Sequence, residues 1–152
     1  MKKVKLFCGI LIGLFIFTNC SNSDDSNINS NSIIGTWKPI KDVNICSTGS
    51  EEIIDYSSCL QMSRTTYNSD GTFNSKEYSD ETGNCKEFSY SGTWKIEGKK
   101  LILIINGETN VPNYFELTKN TLRIGFYDSI LQNDQCGNGK LTNSYAEFIK
   151  VN

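Results

Sequence analysis

Lys86-Glu87-Phe88-Ser89-Tyr90-Ser91-Gly92-Thr93-Trp94-Lys95-Ile96 is the stretch on which the reading of this chain turns. Successive side chains of an extended strand point to opposite faces, so Phe88, Tyr90, Gly92, Trp94 and Ile96 share one side and Glu87, Ser89, Ser91, Thr93 and Lys95 the other. One face is dry and one is wet. Working outward, Leu122, Ile124 and Phe126 repeat the alternation, while Leu101 to Ile105 are apolar throughout, as in a strand covered on both faces. No segment sustains a 3.6-residue period, and turn signals recur between short β-branched and aromatic runs. The expected domain is all-β, with strands at 33–40, 60–67, 72–79, 86–96, 100–106, 111–118, 121–127 and 144–151. Asn68-Ser69-Asp70-Gly71 suits a type I turn with a glycine bulge, which puts Tyr67 opposite Phe73.

The 152 residues make one domain's worth of chain, with 38% hydrophobic residues, 21% charged and a formal charge of -2. The absence of histidine removes imidazole metal sites, histidine-activated nucleophiles and pH switching near neutrality. Lys2, Lys3 and Lys5 precede an apolar run from Leu6 to Phe17, too short for a membrane span and suited to an export signal. The run ends at Thr18-Asn19-Cys20-Ser21, which resembles a bacterial lipobox, although Asn19 replaces the small residue usual before the cysteine. The resemblance implies a signal peptide at 1–19, lipid on Cys20, a polar tether at 20–32 and a folded domain at 33–152. Ser followed by Asp24 and Asp25 is similar to the surface-export signals of Bacteroidota lipoproteins. The expected place is the outer membrane, on its periplasmic face or at the cell surface, with membrane contact made through the lipid. Loss of three lysines with the signal takes the charge to -5, which argues against a nucleic-acid partner.

Cys46, Cys59, Cys85 and Cys136 then remain. In an exported chain an even count favours disulfides, and the spacing lacks the close cysteine pairs of a structural zinc site. If each strand pairs with the next, the tight turns after residues 67, 96 and 118 lie at one end. The long connections 41–59, 80–85 and 128–143 lie at the other, with all four cysteines in or beside them. Three connectivities are open; the hairpin register favours Cys59 with Cys85, and hence Cys46 with Cys136. By the same count the last strand runs antiparallel to the first, so an eight-stranded up-and-down barrel can close, with both disulfides at its open end.

Ile34-Gly35-Thr36-Trp37-Lys38, Tyr67 to Phe73, Gly92-Thr93-Trp94-Lys95-Ile96-Glu97-Gly98 with Leu101-Ile102-Leu103, and Phe115-Glu116-Leu117-Thr118 together resemble the lipocalin-like domain lipoproteins of Bacteroidota. That resemblance implies a calycin-type barrel with a cavity. It also implies that Trp37 plugs the closed end beneath a cation, but the last strand has no arginine. Arg64, Arg123 and Trp94 sit toward that end by the direction count, so either arginine is placed to lie on an indole face.

The expectation for function is a monomeric, non-enzymatic binding protein that takes a small apolar or amphipathic ligand. Phe88, Tyr90, Phe115 and Phe126 are the aromatic candidates, and Arg64 would suit a carboxylate-bearing ligand if it points inward. The alternative is a filled barrel whose loops 41–59 and 128–143 contact an envelope protein or glycan. No metal or cofactor is expected. Glu51, Glu52 and Asp55 have no catalytic spacing and read as solvated charges, and Asp134 with Asn138 lacks a calcium-loop pattern. Asp128-Ser129-Ile130 resembles a Bacteroidota O-glycosylation triplet.

Overall fold

The computed structural model describes residues 32–81, 83–126, 136 and 140–151. The signal segment, Cys20 and most of its tether, Asp128-Ser129-Ile130, Asp134 and Asn138 lie outside these. The described chain is all-β: β1 (Gly35–Cys46), β2 (Glu51–Asp55), β3 (Arg64–Tyr67), β4 (Thr72–Ser79), β5 (Lys86–Glu97), β6 (Lys100–Ile105), β7 (Glu108–Asn110), β8 (Tyr114–Leu117), β9 (Thr121–Gly125) and β10 (Leu141–Val151). They form a single curled antiparallel sheet in the order β7-β6-β5-β4-β3-β1-β10-β9-β8, with β2 paired to β1.

First and last strands pair as the direction count requires, from Thr36 opposite Val151 to Cys46 opposite Leu141. Tyr67 stands opposite Phe73, and the β4–β5 register follows with Ser75 opposite Tyr90 and Glu77 opposite Phe88. The curl lets strands far apart in the ladder share one core. Ile33, Trp37, Tyr67, Phe73, Leu101, Leu103, Leu122 and Ile124 are buried together, with Trp94, Ile96, Ile105, Phe115, Leu117 and Phe148 packed against them. At Gly92 the backbone of β6 comes so close that an added Cβ would overlap the Ile104 carbonyl and the Phe73 ring, so a side chain there would push the strands apart.

Ten strands replace the expected eight, for identifiable reasons. Buried Pro112 interrupts the strand expected at 111–118, because it has no N–H for a ladder. That strand shortens to β8, which pairs with β9, and an unexpected short strand before it, β7, pairs with β6. The hydrogen-bonded sheet therefore has ends at β7 and β8 rather than closing, and covalent chain spans the gap. β1 runs six residues beyond its expected end, past an irregularity between Pro39 and Lys41. Its lower part pairs with β3 and its upper part with β2, a strand inside what read as a loop. Leu60–Met62 form a 3-10 turn instead of opening a strand. β6 is not covered on both faces: Leu101 and Leu103 are buried, but Ile104 is 36% exposed.

The closed end differs from expectation in its cation. Trp37 is wholly buried, its indole N–H donates to the Ile33 carbonyl at 2.7 Å, and Lys150 of β10 holds its ammonium 5.3 Å from the ring centre. That ammonium also donates to the Ser32 carbonyl at 3.1 Å. Gly35, at φ 129°, makes room, since a Cβ would sit 2.7 Å from Lys150 Cε. A lysine does here what an arginine was expected to do. Arg123 instead points outward, donating to Glu147 at 2.8 Å and Glu116 at 3.0 Å, with its guanidinium 5.5 Å from the Tyr145 ring centre. Arg64 also points outward. Trp94 packs edge-on against Tyr67 and donates to the carbonyls of Asn68 and Thr72, clasping the β3–β4 turn.

Two disulfides join Cys46 to Cys136 and Cys59 to Cys85, with Cα separations of 5.7 and 5.6 Å. They span 90 and 26 residues of sequence. By loop-closure entropy, replacing Cys59 and Cys85 by serine should lower the unfolding free energy by about 3.5 kcal/mol, and replacing Cys46 and Cys136 by about 4.6 kcal/mol. Denaturant titration of each pair of variants measures this. A loss under about 1 kcal/mol for either pair would mean that its loop is held by other contacts.

Candidate functional site

The inner faces of the strands do not fill the space they enclose. A chamber of about 310 Å³ opens above the core toward the end of the long loops. Its lower wall is apolar, from Tyr67, Phe73, Leu103, Leu122 and Ile124. Phe148, opposite Leu122, continues that wall, and Thr65, Glu77, Tyr90, Ile105, Asn110, Phe126 and Ala146 complete the lining. A second chamber of about 240 Å³ shares Thr65, Glu77, Ala146 and Phe148 with the first and adds Pro39, Tyr56, Leu60, Ser63 and Tyr78. The first volume lies at the lower end of the roughly 300–1,000 Å³ common for small-molecule sites.

Local rules place these groups. From the Gly71 hairpin onward, alternation on β4 turns Phe73, Ser75 and Glu77 inward, opposite Gly92, Tyr90 and Phe88. An aromatic series climbs from the closed end: Trp94 against Tyr67, Tyr67 against Phe73 at 5.8 Å, and Phe73 edge-on to Tyr90 at 6.1 Å. At its top the Tyr90 hydroxyl donates to Glu77 Oε1. Ser75 donates to the same oxygen at 3.4 Å, and the Ser75 and Thr65 hydroxyls are 2.9 Å apart. In the second chamber Tyr56 donates to Asp42 at 2.5 Å. Burial raises the Asp42 carboxyl above its ordinary range, partly offset by that hydrogen bond. Burial, then the Asp42 partner, pushes the Tyr56 phenol up as well.

Of the ligand candidates, Tyr90 and Phe126 line the first chamber, the latter 57% exposed at the rim. Phe88 is 47% exposed beside Lys86 and lines neither chamber, because β5 rises above the end of β6, which pairs with it only from Gly92 onward. Phe115 packs against the core and lines neither chamber. Arg64 lies in a shallow groove on the outer face of β3–β5, donating to the carbonyls of Gln61 and Ser63 at 2.8 and 2.6 Å. Its placement there removes it as an interior carboxylate partner. Glu77 was the residue missed. Extending the hairpin register from Tyr67 and Phe73 along β4 would have found it facing the dry side of β5.

The chain matches the lipocalin-like domain over residues 33–124 and belongs to that family. Among solved structures, a lipocalin-like protein from Bacteroides uniformis is 12% identical, with a TM-score of 0.48, covering 79% of this chain and 99% of that one. The bovine lipocalin allergen Bos d 2 is 16% identical, with a TM-score of 0.43, covering 82% of this chain and 76% of that one. A comparison with curated proteins found no match.

The interior phenols set an alkaline limit. Burial raises Tyr90 to about 12 and Tyr67 further, whereas unfolded tyrosines ionise near 10. A raised folded value means the stabilisation is complete below pH about 10 and is lost as pH rises through about 12. Denaturant midpoints should therefore hold up to pH about 10 and fall above it, with a smaller fall in Tyr90→Phe.

Proposed function

We propose that this protein is an envelope-anchored lipocalin-like binding protein that carries a small apolar or amphipathic molecule inside its curled sheet. The observation that supports it most is the 310 Å³ chamber, walled by Leu103, Leu122, Ile124 and Phe148 and open at one end. Binding of this kind draws on apolar burial, with a few polar groups to orient the ligand. No reaction is assigned to the interior, and the role is binding rather than catalysis. The domain works as a monomer, and the eight-stranded lipocalin barrel is the form toward which its sheet curls. A polarity-sensitive dye should brighten on addition to the full chain and be displaced by alkyl ligands. Ala146→Trp, which fills the shared wall, should reduce uptake by about tenfold or more. A folded protein that takes up no dye refutes the reading.

The anchor is proposed from the sequence: a signal at 1–19, lipid on Cys20 and a tether to residue 32, with the domain at the outer membrane on its periplasmic face or at the cell surface. Two or three acyl chains would hold it there durably. Cys20→Ser should abolish labelling by an alkyne fatty acid and release the protein from membranes. Labelling that persists in the variant rules out Cys20 as the site.

A second reading has one observation in its favour. Ile53 and Ile54 of β2 are 53% and 44% exposed on the rim hairpin, which suits contact with an envelope protein or glycan.

A further inference from the structure

The formal charge on the lining of the two chambers has one sign, and its carrier, Glu77, is an exposed side chain at the mouth. Among the described residues that line either chamber, Glu77 is the only one that carries a formal charge, and none is a lysine or arginine. The nearby cations are engaged elsewhere. Lys150 lies against Trp37 and Ser32, Lys41 pairs with Glu147, Lys76 pairs with Glu87 on the outside, and Lys86 lies over Phe88. Glu77 has no ion-pair partner among the described residues, and both of its hydrogen bonds, from Tyr90 and Ser75, fall on Oε1. Asp42, which lines neither chamber, is engaged by the hydroxyl of Tyr56, which lines the second. Tyr90 lines the first chamber and Tyr56 the second, and aromatic side chains in a lining are compatible with a cationic ligand.

We infer that the chamber selects an amphiphile bearing an ammonium group. Its apolar body lies on Leu103, Leu122, Ile124 and Phe148, and its cation meets Glu77 at the mouth. A ligand carboxylate of the same shape would bring a like charge against Glu77 with no cation to compensate it. The inference rests on the binding-protein reading above, since it names the class of ligand that the same chamber takes.

Calorimetric titration of the full chain with octylamine, octanol and octanoate tests it. Affinity should fall in that order, with octylamine about tenfold or more tighter than octanoate. Added salt should weaken octylamine and leave octanol unchanged. Glu77→Gln should bring octylamine to within about threefold of octanol. Octanoate binding as tightly as octylamine overturns the inference and leaves the binding reading standing. Octylamine that is indifferent to both salt and Glu77→Gln does the same. If the variant fails to fold, the salt dependence of the native chain decides. Binding of none of the three defeats the binding reading itself.

Discussion

Everything in this fold depends on the first strand lying beside the last. β1 and β10 pair along nearly their whole length, and Glu147 reaches across that seam to Lys41 at 3.3 Å. Without the seam the sheet would have two more free edges, and β9 would have no route to the core it shares with β6. The same pairing brings Lys150 over Trp37, so the plug at the closed end is a product of the seam. The pairing also leaves Cys46 at the upper end of β1, within a Cα separation of 5.7 Å from Cys136.

The curl divides the side chains into two electrical environments. Outside, Arg123 links Glu116 and Glu147 while Tyr114 stacks on Tyr145 at 4.6 Å, a mixed polar and aromatic surface that balances its own charge. Inside, the lining is mostly aromatic and aliphatic, and its one formally charged residue, Glu77 at the mouth, has no ion-pair partner among the described residues. Pairs such as Lys76 with Glu87 add little stability individually because water screens them. Glu77 is likewise open to water at the mouth, so it adds little to how firmly the domain folds.

Several features were legible because they depend on neighbouring residues. The dry face of β5, the Tyr67–Phe73 register and the end of the domain that holds the cysteines follow from alternation and turn chemistry. Others were hidden because two distant segments decide them. Val43 and Ile45 alternate with Asp42 and Asn44, but over too few residues to fix a strand alone; β1 continues there because β10 and β2 flank it on either side. Arg64 falls in phase with Leu60 and Met62 in sequence, but the 3-10 turn at Leu60–Met62 resets the phase and sends it outward. Pro112 lies inside the strand expected at 111–118, and its effect on closure appears only where β7 and β8 take different partners.

Alone, the order of residues settled the all-β class, the antiparallel path and the end at which the sulfurs gather, since the two-residue period and the turns act over a few positions. Tertiary structure decided how far the sheet closes, which cation rests on Trp37, and that Glu77 rather than Arg64 faces the chamber. Those outcomes depend on curvature and on contacts between strands far apart in the chain, which local periodicity does not encode.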